Sequence, residues 1–278
     1  MADEATKTAI GDKPLIQLTF AVDGKQISWN NANAPVTVSI PYTPTAAELG
    51  NPENIIIWYI DGSGKAISVP NGHYGLATGR VTFATTHFSY YAVGYNKVSF
   101  KDVPESAWFH KAVNYIAARG ITTDTGNSNF TPQTRLTRGE FLVMLMKAYT
   151  IAPDEERVNN FVDAGSIYYT SYLAATKRLG ISGGIGNNMF APDKEITRQE
   201  MFTLLYNALK VINKLPQGNF GKSISSFSDA EQISVWAKDA MTLLLETGTV
   251  GGNDGKLAPT SATTRGEMAQ VLYNLLSK

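Results

Sequence analysis

The chain has 278 residues, which is enough for two domains, and 43% of them are hydrophobic. Its 24 basic and 24 acidic side chains give no formal net charge, which argues against a nucleic-acid binder, because such a protein needs a basic excess. Cysteine is absent, and this excludes disulfides, thiolate metal sites and cysteine nucleophiles.

Alternating apolar and polar residues predict strands in the first 97 residues. The predicted strands cover 15–22, 36–40, 54–60, 65–69, 80–84 and 89–95. The Asp-Gly-Ser-Gly turn at 61–64 predicts a hairpin, and we expect the last two strands to pair with each other. Six or seven short strands imply a small antiparallel β-sandwich over 1–97.

The histidines show no catalytic or metal-binding pattern. His73, His87 and His110 are the only ones in the chain, and they lack metal-ligand spacing. No nucleophile motif accompanies them. We therefore read them as surface or hydrogen-bonded residues, and we predict a chain that is not an enzyme and carries no metal or cofactor.

One pattern occurs three times beyond residue 97. It ends in Thr-Arg-x-Glu at 137–140, 197–200 and 264–267. An apolar anchor precedes each arginine at constant spacing: Phe130 before Arg138, Phe190 before Arg198 and Leu257 before Arg265. An F-x-D triplet precedes each anchor and supplies Asp102, Asp163 and Asp229. An internal repeat sets the fold, so we predict three like units at about 98–157, 158–222 and 223–278.

Each Thr-x-x-Glu precedes an apolar run at helical spacing, which predicts a capping box at a helix start. The capping box does not explain the arginine, because a cation in the first turn faces the positive end of the helix dipole and costs about 0.3–1 kcal/mol. A protein carboxylate, with the F-x-D aspartates as candidates, or an external anion would compensate. The two alternatives are compatible with each other.

A second helix is predicted upstream of each anchor. Trp108 and Trp236 open apolar stripes at helical spacing, which read first as core. The predicted helices end at Gly120, Gly180 and Gly248, where a left-handed residue suits a helix end. A short polar loop follows each of these glycines. One unit is therefore a helix, a loop and a second helix.

The combination of F-x-D, an aromatic residue, G-I-x-x-G, F-x-P and T-R-x-E resembles the S-layer homology (SLH) repeat of bacterial surface proteins. The resemblance covers about residues 98–278, and 85–95 resembles the closing strands of β-modules that often precede SLH repeats. It implies an α+β multidomain chain, in which the β-sandwich is followed by an all-α bundle of three repeats with pseudo-threefold symmetry. It also implies binding of secondary cell wall polysaccharide, commonly through the pyruvate ketal of a terminal N-acetylmannosamine.

The resemblance assigns roles to particular residues. Arg138, Arg198 and Arg265 would contact the ketal carboxylate, and Asp102, Asp163 and Asp229 would bind sugar hydroxyls or orient an arginine. Trp108 and Trp236 would pack against a sugar ring, with Tyr168, Tyr169 or Tyr172 as the substitute in the second repeat. Gly183, Gly184, Gly251 and Gly252 would let a ligand approach the backbone.

The first repeat departs from this pattern at Asp124, where the family prefers glycine. A negative side chain beside a carboxylate site repels the ligand, which predicts that a groove using this loop is weak or inactive. The alternative is that Asp124 caps a local turn.

The predicted function is non-covalent anchoring of a secreted protein in the bacterial cell wall or S-layer, with cell wall polysaccharide as partner and no nucleic acid. No apolar run is long enough to predict a membrane span. The start lacks an apolar signal segment, so we expect the C-terminal part of a longer protein. One alternative is the anchor of a glycan-degrading enzyme whose catalytic domain lies outside this chain. Others are a self-assembling lattice protein and a glycan-binding β-domain.

Overall fold

A computed structural model describes residues 2–31, 34–156, 158–220 and 222–277. The chain forms two compact units. The first runs up to Asn129, and the second runs from Phe130 to Leu276.

The first unit contains nine strands and three α-helices within its described residues. The strands are β1 Leu15–Gln17, β2 Phe20–Val22, β3 Lys25–Ile27, β4 Val36–Pro41, β5 Ile55–Ile60, β6 Ala66–Val69, β7 His73–Gly75, β8 Arg80–Thr85 and β9 Tyr90–Tyr95. The helices are α1 Glu4–Ile10, α2 Ala46–Leu49 and α3 His110–Ala118, with a 3-10 turn at Pro52–Asn54. Helix α1 was not predicted; Asp3 caps it by accepting the Thr6 N–H.

All strand pairs are antiparallel, as predicted. One sheet has the order β1-β9-β5-β6, a second has the order β4-β8-β7, and β2 and β3 form a separate two-stranded ribbon. The two larger sheets share one core of buried side chains: Ile40, Ile55, Ile57, Val81, Phe83, Tyr91 and Val93. The predicted hairpin is present as β5 and β6, and Asp61 ties its turn by accepting the N–H groups of Ser63 and Lys65.

Two strand predictions were wrong. The predicted strand at 15–22 is divided between β1 and β2, and these belong to different sheets. Strands β8 and β9 also lie in different sheets instead of pairing. The chain bends between them because the Tyr91 hydroxyl bonds the Thr85 side chain at 2.6 Å and the His87 carbonyl at 2.8 Å. Such side-chain contacts across a bend leave no mark in an alternating pattern.

Helix α3 belongs to the first compact unit. The sequence pattern placed it in the first repeat, beyond a domain boundary at 97, and that boundary stays a prediction. Arg119, the residue after α3, is 3% exposed. Its guanidinium donates to the carbonyls of Glu53 at 2.7 Å and Gly72 at 2.6 Å. It also lies 3.3 Å from the centroid of the Tyr115 ring. Because a buried charge needs such partners, Arg119 ties α3 to the loops between the strands.

The second unit is helical. Its helices are α4 Arg138–Ala148, α5 Thr170–Arg178, α6 Arg198–Val211, α7 Lys238–Glu246 and α8 Arg265–Leu276. The predicted capping boxes are confirmed at α4, α6 and α8. The predicted glycine ends are confirmed as well: Gly180 and Gly248 follow α5 and α7 with φ of 71° and 65°.

A closed ring of backbone hydrogen bonds joins the segments that lead into α4, α6 and α8. Leu136 donates to Thr263, Thr263 donates to Ile196, and Ile196 donates to Leu136, at 2.8–2.9 Å. All three side chains are fully buried. The Thr263 hydroxyl has no hydrogen-bond partner among the described residues, so its burial is an energetic cost.

Replacing Thr263 with valine keeps the side-chain shape and removes the unpaired hydroxyl. We expect Thr263→Val to raise the free energy of unfolding of this unit by about 1 kcal/mol. The measurement is urea denaturation followed by circular dichroism. The control is Thr260→Val, an exposed threonine nearby, which should change stability little. A destabilised Thr263→Val protein would show that the hydroxyl is satisfied.

Candidate functional site

The three repeat arginines each reach into another repeat. Their Nε atoms donate to the carbonyl of an apolar anchor. Arg138 bonds Phe190 at 2.8 Å, Arg198 bonds Leu257 at 2.8 Å, and Arg265 bonds Phe130 at 2.9 Å. The arginines and the anchors therefore interlock the repeats in cyclic order.

The backbone N–H groups at the helix starts follow the same cycle. The first two N–H groups of α4 donate to Lys194 and Pro192. Those of α6 donate to Ser261 and Pro259, and those of α8 donate to Thr134 and Pro132. The proline that follows each anchor thus contributes its carbonyl to a helix start in a different repeat. These donors would otherwise be open to an anion, but here protein carbonyls use them.

A protein carboxylate pairs with two of the arginines, and it comes from the capping box. Glu200 forms an ion pair with Arg138, and Glu267 forms one with Arg198, both at 3.1 Å between nitrogen and oxygen. The second oxygen of each glutamate accepts the N–H of its own capping threonine. One carboxylate therefore caps a helix and also neutralises the arginine of another repeat. Two of the F-x-D aspartates, which we named as candidates, also act on arginines through their charge: Asp163 raises the pKa of Arg138, and Asp229 raises that of Arg198.

The arginines differ in accessibility. The side chain of Arg138 is 4% exposed and lies 4.7 Å from the Phe190 ring centroid. Burial lowers the pKa of Arg138, and the charge of Glu200 opposes this shift, so that the guanidinium stays charged at neutral pH. Arg198 is 12% exposed, and its third nitrogen donates to the Gly251 carbonyl at 3.1 Å in the exposed loop.

The F-x-D aspartates hold the turn at the anchor. Asp229 accepts the N–H groups of Leu257 at 2.8 Å and Ala258 at 2.7 Å. Asp163 does the same for Phe190 and Ala191. The residue after the anchor is left-handed, with φ of 49° at Ala258, which costs about 1–2 kcal/mol without glycine. Asp229 is buried, and Asp102 is half-buried in the first unit.

The glycines of the loops have two different environments. A Cβ on Gly184 would meet the Phe161 ring and the Met189 carbonyl, and one on Gly252 would meet the Phe227 ring and the Lys256 carbonyl. Packing on the F-x-D phenylalanine therefore explains these two. Gly183 faces open space, and Gly251 has only the Lys222 ammonium within 4 Å.

The aromatic residues before the first helix of each repeat are exposed. Trp108 is 60% exposed, Tyr168 58% and Trp236 56%, and they occupy the same position of the repeat. The prediction that the tryptophans belong to the core was therefore wrong, because both precede the regular part of their helices. Tyr168 is the second-repeat equivalent, whereas Tyr172 lies within α5 and is half-buried.

In the first two repeats, the size of the residue after the arginine fits the side chain that it packs against in the following repeat. A Cβ on Gly139 would lie 2.8 Å from the Tyr169 ring. In the next repeat Gln199 takes the place of Gly139, and Ala237 takes the place of Tyr169. The Gln199 side chain accepts the Ser234 N–H at 3.0 Å, which holds the turn bearing Trp236 against the start of α6.

The same repeat occurs in known proteins. The S-layer homology domain model matches residues 99–142, 160–202 and 226–269. The chain carries three S-layer homology domains. An S-layer protein of Bacillus thuringiensis subsp. finitimus is 31% identical over 63% of this chain and 21% of its own length. These matches indicate a cell-surface, cell-wall-associated protein, since SLH domains anchor surface proteins to the cell wall.

Carbohydrate-active relatives match as well. An amylopullulanase of Thermoanaerobacterium thermosulfurigenes is 28% identical over 91% of this chain and 13% of its own length. The exoglucanase XynX of Acetivibrio thermocellus is 31% identical over 65% of this chain and 16% of its own length. The chain thus spans less than a quarter of each of these relatives.

The described residues contain neither a cluster suited to a metal ion nor a helix suited to a membrane span. No cluster of three or more His, Asp or Glu side chains in these residues has a geometry suited to a metal ion. None of the helices in the described parts of the chain has the length and apolar character that a membrane crossing requires.

The match between Gly139 and Tyr169 can be tested by a double-mutant cycle. We expect Gly139→Gln to lower the free energy of unfolding by about 2 kcal/mol, because the new side chain clashes with the ring. Adding Tyr169→Ala recreates the Gln199–Ala237 pairing, and the two changes should couple favourably by about 1.5 kcal/mol. Tyr168→Ala, which changes the exposed neighbour, is the control and should not couple.

The Asp229 turn predicts a pH dependence. Burial raises the pKa of Asp229, but the hydrogen bonds from Leu257 and Ala258 outweigh it, and the pKa lies below its ordinary value of 3.8. Stability from this carboxylate is therefore complete above about pH 4 and is lost as the pH falls through the lower folded pKa. Asp229→Asn loses one acceptor and should cost about 2 kcal/mol at pH 7.

The measurement is urea denaturation of both proteins at pH 7 and pH 3. The difference between them should shrink at pH 3, because the carboxyl of the unfolded wild-type chain, with its ordinary pKa, is largely protonated there and the wild type loses part of its advantage. Asp254→Asn, at an exposed left-handed position that asparagine tolerates, is the control. A difference that is equal at both pH values would contradict the assignment.

Proposed function

We propose that the chain anchors a longer surface protein by binding secondary cell wall polysaccharide that carries a pyruvate ketal on terminal N-acetylmannosamine. The observation that carries this proposal is the exposed aromatic ring at one position of all three repeats. Scattered exposed apolar residues are normal, but a large ring kept exposed at the same position three times points to a ligand. Aromatic faces pack well against the C–H faces of sugar rings.

The fold that we propose around these rings is a pseudo-threefold bundle of the three repeats, preceded by a β-sandwich. The closed ring formed by Leu136, Ile196 and Thr263 supports the threefold relation. The common core of the two larger sheets supports the sandwich.

Arg198 is the arginine best placed to bind an acidic sugar. Each of its three guanidinium nitrogens donates one hydrogen bond to a protein acceptor. Within the described part of the chain this leaves one N–H on each terminal nitrogen for a ligand. Two such donors match a carboxylate. The open loop at Gly251 and the turn bearing Trp236 flank the same helix start.

The three sites are not equivalent in this proposal. Arg138 and Arg265 are more deeply buried than Arg198 and serve mainly to interlock the repeats. Asp124 is exposed in the loop of the first repeat, where Gly184 and Gly252 stand in the others. We therefore propose that a site using the first loop binds the ketal carboxylate least well.

Trp236→Ala tests the proposal. Because the ring is exposed, its removal should leave the thermal unfolding temperature unchanged. We expect it to weaken binding to purified wall polysaccharide about tenfold, which corresponds to about 1.4 kcal/mol. Val235→Ala is the matched control, since Val235 is 86% exposed in the same turn. Equal affinity of Trp236→Ala and wild type would refute the role of the ring.

Removing the ketal from the glycan tests the charge without altering the protein. Replacing Arg198 and Arg265 by alanine also removes the bonds to Leu257 and Phe130, so that a loss of retention would mix folding with binding. Chemical depyruvylation changes only the ligand. Unchanged binding after depyruvylation would contradict the carboxylate part of the proposal while leaving the aromatic part testable.

A second candidate is the anchor of a cell-surface glycan-degrading enzyme. The specific observation is that the amylopullulanase match covers 91% of this chain and therefore includes the β-domain. The S-layer relative matches 63%. Expression of the complete open reading frame, followed by assays on α- and β-glucans, tests this candidate. A complete protein without glycan hydrolysis would favour the lattice alternative.

A further inference from the structure

A cavity of about 380 Å³ lies in the β-domain, remote in sequence from the SLH repeats. The ribbon of β2 and β3 forms one part of it, and the segment before β9 forms another. Its lining comprises Leu18, Thr19, Phe20, Gln26, Ile27, Ser28, Trp29 and Phe88. The volume lies in the range of small-ligand sites.

Three aromatic rings form the apolar part of the lining. The ring centroid of Trp29 lies 5.1 Å from that of Phe20 and 6.0 Å from that of Phe88. Trp29 and Phe88 are inclined by only 33°. All three rings are half-buried, so each keeps part of its surface open. The cluster therefore offers a partly flat apolar surface to a ligand.

The same cavity has polar groups that are not ionisable. Thr19, Gln26 and Ser28 contribute hydroxyl and amide groups. The indole Nε1–H of Trp29 is buried and has no acceptor among the described residues. Because that N–H is inaccessible from the cavity, the polar groups open to a ligand are those of Thr19, Gln26 and Ser28.

We propose that this cavity binds a neutral sugar unit of a glycan. An anionic ligand would require a cation, and the lining residues that the structure describes include none. A purely apolar ligand would remove water from the hydroxyl and amide groups of the lining without offering them hydrogen bonds. A neutral pyranose has apolar faces for the rings and hydroxyls that both donate and accept.

The ribbon explains how the site responds to its ligand. Strands β2 and β3 pair only with each other, through a turn at Asp23 and Gly24 with φ of 50° and 77°. A two-stranded hairpin is marginally stable on its own. The aromatic cluster packs against this one, and backbone bonds such as Phe88 N–H to the Trp29 carbonyl hold the residues after it. A bound sugar that packs on this cluster stabilises the ribbon.

This proposal is independent of wall anchoring and is tested on the full chain. The probes are maltohexaose, cellohexaose and xylohexaose, measured by isothermal titration calorimetry. We expect saturable binding of at least one of them. Trp29→Phe replaces the indole with a smaller ring and reduces the flat surface open to a sugar, so it should weaken that binding about fivefold. Gln26→Ala removes an amide of the lining and should weaken it as well.

Two controls separate this site from the repeats and from general effects on folding. Val22→Ala changes an exposed residue of the same ribbon that does not line the cavity, and Trp236→Ala changes the proposed wall site; neither should alter the binding. Hydrogen exchange of 20–27 should slow when the sugar is bound. Absence of saturable binding of all three probes would overturn the proposal, and so would binding that survives both Trp29→Phe and Gln26→Ala unchanged.

Discussion

The second unit depends on a relay of hydrogen bonds from each helix start to another repeat. A guanidinium binds the carbonyl of the apolar anchor, and the backbone N–H groups of the same helix bind the carbonyls just beyond it. At Arg138 and Arg198 a capping glutamate completes the relay. Each repeat supplies groups that its neighbours need to satisfy buried polar atoms. The repeats therefore stabilise one another, and none of them is complete alone.

The residues that recur in the three repeats fall into two groups: those that support the fold and those that are exposed. The arginine, the F-x-D aspartate and the second loop glycine all have partners within the protein that account for their presence. The rings of Trp108, Tyr168 and Trp236 remain more than half exposed. Within the described residues, Arg198 keeps one N–H on each terminal nitrogen without a protein acceptor. The proposed ligand surface therefore rests on residues that mainly maintain the fold, and a binding site needs such a rigid frame.

Local signals in the sequence predicted local structure well. Thr-x-x-Glu marked three helix starts and glycine marked the ends of the preceding helices, because both act within one turn of backbone. The sequence could not predict contacts between distant residues. Glu200 was recognised as a cap, but its second role beside Arg138 depends on the folded arrangement. Helical spacing wrongly placed Trp236 in the core because the helix begins only after it, whereas the family resemblance had assigned its ring to a sugar. Pairing β8 with β9 was wrong, because an alternating pattern does not show which sheet a strand belongs to.

Arg119 links the first SLH repeat to the β-domain that precedes it. Its head group satisfies carbonyls in loops of the β-domain, yet the residue closes the first helix of an SLH domain. Cutting the chain at the predicted boundary at 97 would therefore leave the Glu53 and Gly72 carbonyls without their donor in one fragment. The other fragment would carry the Arg119 guanidinium without these acceptors. A fusion protein that uses these SLH repeats should therefore include the preceding β-domain.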